Sequence, residues 1–167
     1  MIDYFFEGGR TVNLRDLEAK KMDFEPYKEA HEGLVIPCHD VFIQTQGGIL
    51  LVRRENVPAK GLLWPIGGRL SRGVETQESL KRLVRDECGL ELENLELLGM
   101  ARTQFQTDPV GHGRGTDTLN LVYYAEGKGE ITLDSQHSTP TIVRPQDYDS
   151  LRKELHPYVR DFMDKLF

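Results

Sequence analysis

The chain reads as an α/β domain. β-branched and apolar runs broken by Gly-rich turns fill its first half, a strongly amphipathic helical stretch runs from Thr76 to Cys88, and a helical tail follows Gln146. Its 167 residues are the size of one ordinary domain, large enough to bury a core without disulfides or a structural metal.

Residues 13 to 32 alternate charge with Leu14, Leu17, Met22, Phe24 and Tyr27, and Gly33 follows as a stop, so two short helices are predicted here. Leu34 to Gln44 is β-branched and apolar. Gly47-Gly48 then separates it from Ile49-Leu50-Leu51-Val52, which predicts a hairpin. Asn56 to Gly68 carries Pro58, Gly61, Pro65 and Gly67, punctuation expected of an ordered loop with one short extended piece. Thr76 to Cys88 places Leu80, Leu83, Val84 and Cys88 at helical spacing, and Gly89 ends the turn. Further strands are predicted at Leu97 to Gln106, Thr118 to Ala125, Glu130 to Leu133 and Thr141 to Val143. The tail from Gln146 to Phe167 is helical in pattern, broken at Pro157.

Composition excludes several classes. Apolar residues at 38% and charged residues at 29% fit a soluble globular chain and not a disordered one. The net charge of -6, with no long run of Lys or Arg, argues against a nucleic-acid partner. A local positive cleft for a small anion is still compatible with it. Cys38 and Cys88 stand alone in apolar surroundings, as expected of reduced structural thiols and not of a zinc site. The N-terminus has no basic segment followed by an apolar run, and no stretch approaches the roughly 20 apolar residues of a membrane span. No membrane association and a cytoplasmic location are expected.

The stretch GGRLSRGVETQESLKRLVRDECGL, Gly67 to Leu90, carries the chemistry. Paired glycines after a strand let the backbone present N–H and carbonyl groups to a ligand. Arg69 follows, suited to phosphate, and Asp86 and Glu87 near the helix end offer hard oxygens to Mg²⁺. Taken singly, each has an ordinary explanation: a turn, an exposed Arg, a solvated helix face. Their joint spacing points to a pyrophosphate and metal site.

That spacing resembles the Nudix box, Gly-x5-Glu-x7-Arg-Glu-apolar-x-Glu-Glu-x-Gly-apolar. Gly68, Arg82, Val84, Asp86, Glu87, Gly89 and Leu90 fall in register, with Asp86 as a conservative replacement. Val74 and Leu83 stand where the pattern has Glu. The chain is similar in particular to the GDP-mannose mannosyl hydrolase branch, which also has Leu at the Leu83 position. The likeness runs through Leu50 to Leu70, Gly115-Thr116-Asp117 and Ser135-Gln136-His137. Two positions depart from that branch, a His expected near Gln104 and a Tyr expected near Val122.

The resemblance implies a Nudix α/β/α sandwich with a mixed central sheet over residues 34–167, preceded by an additional helical segment at 1–33 that belongs to the same domain or to a dimer contact. It implies that the Gly67 carbonyl, Glu87 and Gln136 hold Mg²⁺, or Mn²⁺ in its place, with Asp86 as a further candidate ligand. Arg54 and Arg69 would neutralise the leaving nucleoside diphosphate, Asp40 would contribute to catalysis, and His137 would take a proton from water. A His suits that role because its ordinary pKa lies near working pH. The implied substrate is a nucleotide-sugar, and the implied assembly a homodimer.

Several readings stay open at this stage. Trp64 either stacks on a nucleobase or covers the loop. The segment Asp108 to Arg114 is either a closing loop or a hairpin tip. The leading expectation is water attack at the anomeric carbon of a GDP-hexose. The alternatives are a diphosphatase cleaving a P–O bond and, given Val74 and Leu83, a catalytically silent nucleotide-binding module.

Overall fold

A computed structural model describes residues 1–167. At the N-terminus, β1 (Phe6–Glu7) and β2 (Arg10–Thr11) form a small hairpin that the sequence pattern did not signal. The first of the two expected helices is a single 3₁₀ turn at Leu14–Leu17. The second is α1 (Phe24–Gly33), ending at the predicted glycine.

The predicted hairpin is β3 (Ile36–Thr45) with β4 (Gly48–Arg54), joined through Gln46 and Gly47, both at positive φ. Strict alternation along these strands divides the core. Val41, Ile43, Leu50 and Val52 pack on one face with Leu80, Val84 and Cys88 of α2 (Thr76–Cys88). Phe42, Ile49 and Leu51 pack on the other, with Tyr148 of α3 (Pro145–Leu151) and Tyr158, Val159 and Phe162 of α4 (Pro157–Met163). Two buried faces on one sheet require a layer of helix on each side, which gives the expected α/β/α sandwich.

The loop after β4 contains two short strands where one was expected, β5 (Leu63–Trp64) beside β4 and β6 (Ile66–Arg69) beside β3. β7 (Glu91–Phe105) starts well before the predicted Leu97. It runs antiparallel to β8 (Thr116–Lys128), β8 runs parallel to β3, and β9 (His137–Val143) closes onto β4. The sheet is therefore mixed, with the order β5-β4-β3-β8-β7.

Glu130 to Leu133 does not form the predicted strand. Its Ile131 and Leu133 do pack against the core, but the Thr132 and Asp134 N–H groups donate to the Cys88 and Glu87 carbonyls at the end of α2. The alternating pattern reported one-sided burial, and the backbone found a helix terminus instead of a sheet partner. That terminus is set by Gly89 in the left-handed region, φ 74°, whose N–H donates to Arg85 O. At the other end of α2 no local side chain caps the helix. Asp3 does so across the molecule, accepting from Thr76 N at 2.7 Å and from its hydroxyl at 2.9 Å. No helix is long and apolar enough to cross a membrane. Both cysteines are free and buried, as expected.

Candidate active site

A cleft of about 940 Å³ opens where β3, β6, the end of β4 and the C-terminal half of α2 meet. Asp40, Arg54, Trp64, Gly67, Arg69, Glu87, Gln136 and His137 all line it. Asp86 does not. It is exposed, because neighbouring helix positions point about 100° apart and Glu87 takes the inward one. Of the two helix carboxylates, Glu87 lines the cleft and Asp86 does not.

Register explains the glycines. Gly67 lies opposite Asp40 on β3. A side chain at Gly67 would fall on the Asp40 carboxylate and 2.7 Å from the His39 carbonyl, so the close approach of β6 requires glycine. Gly68 faces the other way, onto α2, where a Cβ would lie 2.6 Å from Leu83 Cδ1. Leu83 thus fills with hydrocarbon the space beside Gly68 of β6.

Asp40 is buried and accepts a hydrogen bond from the Tyr158 hydroxyl of α4. Burial pushes its carboxyl up to about 6, partly opposed by that hydrogen bond and by Arg54. Arg54 is pinned by donating to the Pro58 carbonyl and to Asn56 Oδ1, each at 2.9 Å. Asn56 in turn donates to Gln136 Oε1 at 2.7 Å. Burial lowers the Arg54 pKa while Asp40 and Glu87 raise it, and a guanidinium in this setting remains charged. Arg69 lies with its guanidinium 4.6 Å from the centre of the Tyr27 ring of α1.

His137 pairs with Arg54 across β9 and β4 and is buried. Its Nδ1 lies 2.8 Å from Asp134 Oδ1, and its Nε2 lies 3.9 Å from Glu87 Oε2. A carboxylate on one ring nitrogen fixes the tautomer and turns the other nitrogen toward the cleft. Burial foremost, then the Asp134 charge, pushes Glu87 up to about 8, with Arg54 pulling the other way.

Glu87 Oε2 is buried without a hydrogen-bond partner. An orphaned carboxylate oxygen beside other acids is the environment a hard divalent cation relieves. The Gly67 backbone and the Gln136 amide line the same cleft. No group of three or more His, Cys, Asp and Glu side chains forms a metal-holding cluster, so a cation here depends on backbone and amide oxygens beside Glu87. The residues present fit that requirement.

Trp64 is buried, stacked on Tyr158 with ring centres 5.1 Å apart and edge-on to Phe105 at 5.8 Å. Only about 6% of its surface is exposed, although it lines the cleft. Sequence reasoning missed Tyr158, Asp134, Asn56 and the α1 residues Tyr27 and His31. The Asp-x-x-His spacing of Asp134 and His137 was available as a signal. Nothing local announces Tyr158, far along the chain from Asp40.

The NUDIX domain family model matches residues 39–166. The low-salt glycan biosynthesis protein Agl8 of Haloferax volcanii is 31% identical over 134 residues, 76% of this chain and 79% of the relative. An ADP-ribose pyrophosphatase of Methanocaldococcus jannaschii is 32% identical over 94 residues, 56% of this chain and 53% of the relative. Among solved structures, a MutT NUDIX hydrolase from Burkholderia pseudomallei superposes with a TM-score of 0.60 at 20% identity, covering 80% of this chain and 99% of that one. The NUDIX domain of Shewanella oneidensis NrtR, crystallised with ADP ribose, superposes with a TM-score of 0.59 at 15% identity, covering 86% and 98%.

Proposed function

This chain belongs to the NUDIX family of hydrolases, and from that premise we propose that it hydrolyses a nucleotide-sugar, with glycosyl cleavage of a GDP-hexose as the sharpest form. Water attacks the anomeric carbon, the bond from that carbon to the diphosphate oxygen breaks, and the nucleoside diphosphate leaves with the bonding electrons. The water proton passes to His137 Nε2. The observation that carries the reading is the His137 arrangement, a buried imidazole held by Asp134 at 2.8 Å and facing Glu87 at 3.9 Å. A base outside α2 is what this chemistry needs once Leu83 has removed the second helix carboxylate.

Nudix hydrolases in general use divalent metal ions, and Mg²⁺, or Mn²⁺ in its place, would be held by Glu87, Gln136 and the Gly67 carbonyl. Such an ion supplies positive charge that stabilises the departing diphosphate. Arg54 and Arg69 bind and orient the phosphates as charged donors. Asp40, buried and hydrogen-bonded to Tyr158, holds a protonatable group beside Gly67. The name of the Haloferax relative, a glycan biosynthesis protein, favours an activated sugar as substrate. Residues 34–167 form the Nudix domain on this reading, residues 1–33 an extension of it, and the protein acts in the cytoplasm as a homodimer.

A second reading keeps the substrate class but cleaves a P–O bond, favoured by the pyrophosphatase relative and the ADP-ribose complex. Phosphorus NMR of the products separates the two. Release of a nucleoside diphosphate and free sugar is expected, whereas a nucleoside monophosphate with sugar phosphate overturns the glycosyl form.

A further inference from the structure

The face of the sheet that α4 covers at Phe42 and Val122 continues past Asp40 as the cleft floor, and there its character changes. The positions two and four residues before Asp40 on β3 are Cys38 and Ile36, paired in the parallel ladder with Asn120 and Thr118 of β8. Thr118 is paired in turn with Thr103 of β7. Where the same face is apolar further down, Thr103, Thr118 and Asn120 bond one another instead. The two Thr hydroxyls lie 2.6 Å apart, and the Asn120 amide donates to Thr118 at 3.1 Å and to Thr103 at 3.2 Å. Asn120 and Thr103 are buried, and all three side chains line the cleft. Bonded to one another, these groups form a polar floor whose remaining donors and acceptors face the cleft in place of the hydrocarbon found further down.

The opposite wall comes from outside the residues that the family model matches. α1 brings Tyr27 and His31 into the cleft. Tyr27 lies against Arg69, and His31 Nδ1 sits 2.7 Å from Nε2 of His112 in the 106–115 loop. Asp108 holds that loop, accepting backbone N–H donors from Val110, Gly111, His112 and Gly113. Strand register orders the cleft: Asp40 lies opposite Gly67, Cys38 opposite Arg69, and Ile36 lies beyond Arg69 with Thr118. At about 3.3 Å per strand residue, the Thr–Asn floor begins roughly 7 Å past Asp40 and extends to roughly 13 Å. His137 and Glu87 lie on the Arg54 side.

We infer that Thr103, Thr118 and Asn120, roofed by Tyr27 and His31, form a nucleoside subsite that reads the base or ribose of the substrate. The assignment rests on the reading that the sugar carbon reacts beside His137 and that Arg54 and Arg69 span the diphosphate. The nucleoside then projects past Arg69 onto this floor. Aromatic and imidazole rings suit a planar base, and hydroxyl and amide groups supply neutral hydrogen bonds that distinguish one base from another.

The test measures binding, not turnover, by calorimetry on the full chain with Mg²⁺. The probes are GDP, ADP, UDP and inorganic pyrophosphate, which lacks the nucleoside. Wild type is expected to prefer one of the three nucleotides by about tenfold or more and to bind it tighter than pyrophosphate. Thr118→Val, which keeps the side-chain shape, and His31→Ala, which removes the α1 imidazole and its contact with His112, are expected to reduce that preference to within about threefold while pyrophosphate affinity moves by less than about twofold. An unchanged base preference in both variants, an equal loss for nucleotides and pyrophosphate, or wild-type pyrophosphate binding as tight as any nucleotide would each overturn the subsite. None of these outcomes bears on which bond is cleaved. The NMR experiment decides that separately, so the two readings fail independently.

Discussion

Replacing Asp40 with Asn probes a buried carboxyl of the cleft. Its pKa rises from 3.8 to about 6, burial being the largest cause. A folded value above the unfolded one means that the folded state holds the proton more tightly. The stability linked to this group is therefore complete below the unfolded pKa and is lost as pH rises through 3.8 to about 6. At roughly 1.36 kcal/mol per pH unit the whole loss is about 3 kcal/mol, of which about 2 kcal/mol accrues between pH 4.5 and pH 8. Asn is isosteric, does not titrate here, and can still accept from Tyr158. The difference in unfolding free energy between Asp40→Asn and wild type should therefore grow in the variant's favour by about 2 kcal/mol over that interval. Urea denaturation with a chelator present measures it. Taking the difference at each pH cancels the carboxyls remote from Asp40; Glu87, which Asp40 helps to push up, is removed from the comparison by repeating it in a Glu87→Gln background. A difference that stays constant within about 0.5 kcal/mol would refute the claim that Asp40 is ionised at a cost to the fold.

His137→Gln is expected to lower kcat by about 10² to 10⁴ while leaving Kd for nucleotide within a few-fold, since a general base acts on the step and not on the complex; a loss under tenfold in a steady-state assay would place the base elsewhere. Gly67→Ala should destabilise the protein by about 1–3 kcal/mol, because the added methyl meets the Asp40 carboxylate and the His39 carbonyl. Denaturant melts check this, and Gly68→Ala, which meets only the flexible Leu83 terminus, should cost less. Asp3→Ala removes the distant cap of α2 and should cost about 1 kcal/mol, seen as a fall in Tm of about 2–4 °C; an unchanged Tm would mean that water caps the helix equally well.

Where the sequence was legible, the determinants were local. The helix Thr76–Cys88 and its glycine stop follow from spacing alone, as does the Ile36–Arg54 hairpin. The contiguous apolar run Ile49 to Val52 is what burial of both faces of β4 requires. β7 was cut short because Glu91 to Glu96 lies at an edge of the sheet with most side chains in solvent, so apolar patterning fades although the backbone stays paired. Ile131 and Leu133 misled in the opposite sense, burying alternate side chains without a strand partner. The cleft residues Arg54, Gln136 and His137 came from resemblance. Their supporting partners Asn56 and Asp134 are near them in sequence but belong to no periodic pattern. Tyr158 on Asp40 and Asp3 on Thr76 are contacts between distant segments, set by how the layers close.

The Leu83 substitution makes physical sense in this charge environment. Glu87 is already resisted by burial and by Asp134, Asp40 and Asp86, with Arg54 the opposing charge. A second carboxylate one turn earlier on α2 would enter the hydrocarbon space beside Gly68 and add another like charge, tolerable only with a cation firmly in place. Leu83 fills that space without charge. Asp134, placed on the 130–134 segment by its hydrogen bonds to the end of α2, supplies a carboxylate that is spent on orienting His137. Under the proposed glycosyl cleavage, the single helix carboxylate Glu87 and the imidazole of His137, held by Asp134, would divide the metal-binding and proton-accepting tasks between them.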